Sequence, residues 1–226
     1  MLVQIYTSQT PAEALALATL GVDHIGLTPA QRGLPGEIDD ATARQIRDAV
    51  AGKAIIVALS VEADLDEIAR MANIVQPDIL HLCGDIKVVT PAAVGELRDR
   101  FSRQIPEMKI MQAIPVVNAG AVDIAMAYQS VADYLILDSV SPDIDGIGAA
   151  GVTHDWHISR EIVTRSRLPV ILAGGLSAEN VAEAIRAVRP WGVDSLTKTN
   201  RPLGDGRFCK DLDRVRAFVT AARADT

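Results

Sequence analysis

Short apolar runs, many of them β-branched, alternate with amphipathic stretches from one end of this chain to the other. The apolar runs lie at 3–6, 24–27, 54–59, 79–83, 109–114, 134–138, 170–173 and 193–197. Near-continuous hydrophobic runs of this length are expected of parallel strands covered on both faces. Between them the spacing predicts helices over 11–20, 39–51, 64–75, 91–104, 121–131, 155–166, 178–188 and 211–222. Thr10-Pro11 and Thr90-Pro91 each offer a capping hydroxyl followed by proline at the first helical position. Eight strands alternating with eight helices predict an α/β fold, a (β/α)8 TIM barrel forming one domain over residues 1–226. An open doubly wound sheet would need a Gly-x-Gly-x-x-Gly turn after its first strand, and Ser8-Gln9-Thr10-Pro11 is not one. A faint internal echo sets Ala14 and Gly21-Val22-Asp23 beside Ala184 and Gly192-Val193-Asp194, consistent with repeated β/α units.

Composition narrows the partners. A net charge of −7 argues against nucleic acid or an anionic membrane as the main partner, and 4% aromatics leaves little for base stacking. It does not exclude a small phosphorylated ligand, which a few backbone N–H groups can hold locally. No segment is apolar for long enough to span a membrane, and the first residues do not read as a signal peptide. Two cysteines without a CxxC pair suit a reducing cytoplasm. Monomer and homodimer are both compatible with the chain.

The candidate chemistry gathers where strands end. Asp138 closes an apolar strand, and a charge at the C-terminal end of a barrel strand is costly unless it is used. His81 and Cys83 alternate on strand four and so share a face. His81 is a candidate for proton transfer, with a satisfied core histidine as the alternative. Gly174 and Gly175 precede a helix, and with Thr197, Lys198 and Asn200 after strand eight they are candidates for holding phosphate. Lys198 is also a candidate Schiff-base lysine. Parity on strand five turns Gln112 inward, toward a substrate. His154 and His157 lie three apart without a third ligand, so no metal is expected. The long loop 140–152 has the length of a lid.

Leu172-Ala173-Gly174-Gly175-Leu176-Ser177-Ala178-Glu179-Asn180-Val181, followed by Gly192-Val193-Asp194, resembles the last quarter of phosphoribosylanthranilate isomerases. Leu135-Ile136-Leu137-Asp138-Ser139, Thr153-His154-Asp155-Trp156 and Arg216-Ala217-Phe218-Val219 are similar to further landmarks of that family. The resemblance implies a cofactor-independent Amadori rearrangement of an aminoaldose phosphate in tryptophan biosynthesis: an acid protonates the ring oxygen and a base removes the C2 proton. It makes Asp138 the acid. The family's base is a cysteine in a Lys-Ile-Cys-Gly pattern, and here Gln4-Ile5-Tyr6-Thr7 puts Tyr6 in its place. Gln-Leu-His-Gly on strand four becomes His81-Leu82-Cys83-Gly84, and Ser-Ser-Gly after strand eight becomes Leu196-Thr197-Lys198. The family arginine expected to meet the anthranilate carboxylate is matched by Arg32.

A phenol whose ordinary pKa is about 10 is a poor base at neutral pH. The leading expectation is therefore an isomerase or epimerase of a small phosphorylated sugar or aminosugar, with Asp138 as acid and His81, alone or with Tyr6, as base. Authentic phosphoribosylanthranilate isomerisation with a replaced base, an aldolase or lyase using Lys198, and a non-catalytic sugar-phosphate-binding barrel stay open as alternatives.

Overall fold

A computed structural model describes residues 1–140, 147–148 and 153–224. Its strands β1 (Leu2–Ile5), β2 (His24–Leu27), β3 (Ile55–Ser60), β4 (Ile79–Leu82), β5 (Lys109–Pro115), β6 (Tyr134–Asp138), β7 (Val170–Leu172) and β8 (Gly192–Ser195) close into a barrel in chain order. All eight neighbouring pairs are parallel, including the closure of β1 on β8. The helices α1 (Pro11–Thr19), α2 (Asp40–Ala49), α3 (Leu65–Val75), α4 (Pro91–Gln104), α5 (Ala121–Ala127), α6 (Trp156–Arg165), α7 (Val181–Val188) and α8 (Leu212–Arg223) alternate with them. The expected barrel is found, with most ends displaced by a residue or two. Helix α5 stops short of the expected 131, and its closing turn at Tyr128 hydrogen-bonds the Val89 carbonyl through the phenol.

Local chemistry explains the helix starts. Thr10 and Thr90 accept hydrogen bonds from Glu13 N (3.1 Å) and Ala93 N (3.3 Å), each ahead of its proline. Asp39, Asp64, Asp155 and Asp211 cap α2, α3, α6 and α8 in the same way. At the N-terminal rim three aspartates act as clips between strands. Asp23, Asp78 and Asp133 accept from the backbone N–H of Val3 (2.8 Å), Ile56 (2.7 Å) and Ile110 (2.8 Å).

Alternation along each strand divides the core. One set of side chains, including Ile5, Ile25, Leu80, Ile110, Leu135 and Leu172, packs against the helices. The other, including Val57, Ile79, Met111, Ala113, Ile136, Ile171 and Ala173, fills the barrel. Among the described residues no helix is long and apolar enough to cross a membrane.

One element was not anticipated. After the short helical turn Thr197–Thr199, strands β9 (Asn200–Gly204) and β10 (Arg207–Lys210) form an antiparallel hairpin. Asp205 and Gly206 at its tip have φ of 51° and 74°, the left-handed pair that a tight hairpin turn requires. The signal was the Asp-Gly dipeptide itself.

Candidate active site

The interior layer nearest the C-terminal rim gathers titratable side chains. A small cavity there, about 60 Å³, is lined by Tyr6, His81, Asp138 and Asp194, with Leu34, Pro35, Leu59, Val61 and Ile147 forming an apolar cover. Tyr6 follows β1 and continues its ladder through Tyr6 N to Ser195 O (3.0 Å). Its ring lies over Gly26, where a Cβ would come within 2.3 Å of the ring carbons. Glycine on β2 is what admits the phenol. Tyr6 Oη is hydrogen-bonded to His81 Nδ1 (2.8 Å), and His81 Nε2 to Cys83 Sγ (3.0 Å).

Electrostatics fix the protonation of this chain of groups. Burial, with smaller contributions from Cys83 and Asp194, pushes the Tyr6 phenol well above its usual range. Burial pulls His81 down to about 3, so the ring is neutral. The Cys83 thiol is pushed up by burial and then by the charges of Asp138 and Asp194. Neither Tyr6 nor His81 has the character of a base at neutral pH: one holds its proton, and the other has both nitrogens engaged.

Asp138 ends β6 facing the barrel interior. Burial raises its pKa to about 7, against the hydrogen bond it accepts from Ser139 N (2.7 Å). Gly148 packs on the carboxyl so closely that a Cβ would stand 2.6 Å from Oδ2. Asp194, the third residue of β8, was passed over as a site residue in the sequence. It is 6% exposed, and its pKa is raised to about 8 by burial and by Asp138, against the Gln4 amide beside it and the charge of Lys210. The repeat echo obscured it. Asp23 sits below β2 as a clip, whereas Asp194 lies inside β8, so the two Gly-Val-Asp blocks are out of register.

Gly174, Gly175, Thr197 and Lys198 meet beside the carboxyl pair, lining a second, narrow cleft together with Asp138 and Asp194. Gly174 has φ of 84°, and a Cβ on it would press on Ser139 Oγ (2.8 Å) and His154 Nδ1 (2.9 Å). Gly175, Thr197 and Lys198 also line the wider groove outside, with Ser177, Asn180 and Arg214. Lys198 is exposed, a setting for a point charge rather than for a desolvated Schiff base.

Three expected site residues lie elsewhere. Gln112 shares the parity of Ile110 and Ile114 and faces the helices, donating to Ala113 O (2.9 Å), because the interior positions of β5 are Met111 and Ala113. Arg32 is held by Glu62 (2.8 Å) on an outer loop and is not among the cavity-lining residues. Asn200 accepts a hydrogen bond from Lys210 Nζ (2.6 Å) instead of facing the phosphate cleft. Lys210, also missed in the sequence, is 4% exposed. It donates to the carbonyls of Tyr6 and Leu196 and lies 3.4 Å from Thr199 Oγ1, tying the hairpin to the end of β1. His154 is held between Ser139 (3.2 Å) and Ser159 (2.7 Å), while His157 is exposed, so the two do not converge. The loop 140–152 lies mostly outside the described residues.

A family model for N-(5'-phosphoribosyl)anthranilate isomerase matches residues 4–221. The chain belongs to the phosphoribosylanthranilate isomerase family. A relative of that name from Methanocella arvoryzae is 34% identical over 221 residues, covering 98% of this chain and 97% of the relative. Another from Rhodopseudomonas palustris is 35% identical, with 99% and 96% covered. The solved phosphoribosylanthranilate isomerase of Thermotoga maritima superimposes with a TM-score of 0.78 at 26% identity, covering 99% of each chain. The resemblance that made Asp138 the expected acid and put Tyr6 in place of the expected base falls on residues inside the matched span. The thiol expected at the end of β1 is thus absent, and a buried thiol, Cys83, stands just after β4.

Proposed function

We propose that this chain isomerises N-(5'-phosphoribosyl)anthranilate, an aminoaldose phosphate, to the aminoketose by an Amadori rearrangement in tryptophan biosynthesis. The observation that carries the reading is Asp138. It is a carboxyl at the end of β6, turned into the mouth cavity and protonated at pH values where ordinary aspartates are not. Such a group donates a proton to the ring oxygen as the C1–O bond breaks. Gly174, Gly175, Thr197 and Lys198 supply the phosphate end, and the apolar cover of Leu34, Pro35, Leu59, Val61 and Ile147 suits an aromatic ring. The two free cysteines fit a cytoplasmic enzyme of a small phosphorylated metabolite.

Expression in a tryptophan auxotroph that lacks its own isomerase tests the reading: growth without tryptophan is expected, and its failure with soluble protein present refutes it. Replacing Asp138 by Asn should abolish turnover and leave ligand binding measurable; undiminished turnover would remove Asp138 from the chemistry.

A second reading keeps the chemistry and changes the amine. Among the described residues no lysine or arginine lines the cavity, and Arg32 is paired with Glu62, so a substrate without the anthranilate carboxylate fits the aromatic end as well. A higher kcat/KM for the phosphoribosyl derivative of aniline than for that of anthranilate would favour it.

A further inference from the structure

We propose that Asp194, not Tyr6 or His81, is the base that removes the C2 proton, working with Asp138 as the acid. The assignment rests on the reaction class proposed above and names the group it leaves open. Of the side chains around the cavity, Tyr6 spends its hydroxyl on His81, and His81 spends both nitrogens on Tyr6 and Cys83. Cys83 stands behind His81 and is not among the cavity-lining residues. Asp194 is different. It lines both the cavity and the cleft of Gly174, Gly175 and Lys198, and its buried Oδ1 has no hydrogen-bond partner among the described residues. A buried carboxylate oxygen without a partner costs free energy that a structural role would not justify.

The strand register brings acid and base together. Leu137 pairs with Leu172, and Leu172 with Val193. One step further along each strand come Asp138, Ala173 and Asp194, so the two carboxyls flank a small alanine on adjacent-but-one strands. Gln4 from β1 lies beside Asp194, and Lys210 from β10 adds its charge. Asp138 acts electrostatically on Asp194, so the two carboxyls do not both ionise readily; the productive form is the one that carries the remaining proton on Asp138 and leaves Asp194 ionised.

The step balances with that single proton. Asp138 gives its proton to the ring oxygen while the nitrogen lone pair forms the C1=N bond and the C1–O bond breaks. Asp194 then takes the C2 proton; the C2–H pair becomes the C1=C2 bond, and the C=N π pair returns to nitrogen, giving the enaminol. Transfer of the proton from Asp194 to Asp138 restores the starting pair, and the enaminol tautomerises to the ketone.

The experiment compares Asp194→Asn and Tyr6→Phe with the unaltered chain, using phosphoribosylanthranilate protiated or deuterated at C2. General base catalysis is worth ~10²–10⁴-fold, so Asp194→Asn should lower kcat by at least ~10²-fold with KM within a few-fold. Tyr6→Phe should lose no more than ~10-fold in kcat, short of that base contribution. A urea midpoint for Asp194→Asn no lower than that of the unaltered chain at pH 5 excludes misfolding. Near-normal kcat in Asp194→Asn, or an equal collapse in Tyr6→Phe, overturns the assignment. If the unaltered chain leaves this substrate unchanged, the function fails on its own, and the base is judged by carboxyl ¹³C titration of aspartate-labelled protein. Asp194 titrating above pH 6, and moving when Asp138 becomes Asn, is expected; titration below pH 5 overturns it.

Discussion

Replacing Gly26 by alanine is a sharp test of how β2 makes room for the group at the end of β1. The new Cβ would lie 2.3 Å from Tyr6 Cγ and Cδ1 and 2.4 Å from Cε1. Carbon atoms pack at ~3.5–4.0 Å, so the overlap exceeds an ångström. The ring cannot swing aside cheaply, because Tyr6 is 4% exposed and its hydroxyl is held at His81. Overpacking of a rigid core costs ~1–3 kcal/mol, and this contact belongs at the upper end. For a chain of this length ~3 kcal/mol corresponds to a fall in Tm of about 6–12 °C. In a Tyr6→Cys background the same substitution meets no ring. It should then be neutral or stabilise by ~0.4–1 kcal/mol, since Gly26 lacks a positive φ and alanine restricts the unfolded chain. Urea unfolding of the four proteins gives the cycle, with a coupling of at least ~2 kcal/mol expected. Equal effects of Gly26→Ala in the two backgrounds would refute the steric account.

Two further outcomes follow from the same site. Asp138 and Asp194 have pKa values raised above 3.8, to about 7 and about 8, so the folded chain keeps protons that the unfolded chain has lost. Their contribution to stability is complete below pH 4 and is lost as pH rises through 7 to 8. Relative to the double Asn variant, the unfolding free energy should fall by about 5–6 kcal/mol between pH 5 and 7.5, at ~1.4 kcal/mol per pH unit for each of the two protons kept. Parallel pH profiles for the two proteins would contradict the buried pair. Replacing Lys198 by Ala should weaken inorganic phosphate, measured by calorimetry, by roughly tenfold at low salt, the worth of one charge-assisted contact of ~1.4 kcal/mol. Unchanged affinity would move the phosphate away from the β8 side.

The barrel was legible in the sequence because it rests on periodicity and helix caps, which are local. Thr10-Pro11 and Thr90-Pro91 announced α1 and α4, and the aspartate closing an apolar run announced the end of β6. Site membership depends instead on register between distant strands. Gln112 was turned inward by a one-residue error of parity, which moves a side chain from barrel to helix layer. Arg32 was assigned by likeness of position, but its loop runs to Glu62. Asp194 looked like a repeat landmark until pairing with Gln4 and the opposition of Asp138 gave it a place. Lys210 could not be found from local pattern, since Tyr6, Leu196, Thr199 and Asn200 gather around it only when the hairpin folds back.

Tyr6, His81, Cys83 and Gly26 are best understood as one coupled group. A buried histidine needs partners for both ring nitrogens, and here the phenol serves Nδ1 and the thiol serves Nε2. The phenol fits only because Gly26 has no side chain. Restoring the family's cysteine at position 6 alone would strip His81 Nδ1 of its partner and leave a hole the size of a ring. The thiol already present, Cys83, is pushed up by burial first and then by Asp138 and Asp194. Those two carboxyls favour protonated neighbours, and their own pKa values are raised by burial. With the phenol of Tyr6 holding its proton and both nitrogens of His81 engaged, the acidic pair is the part of the site left to give and take a proton.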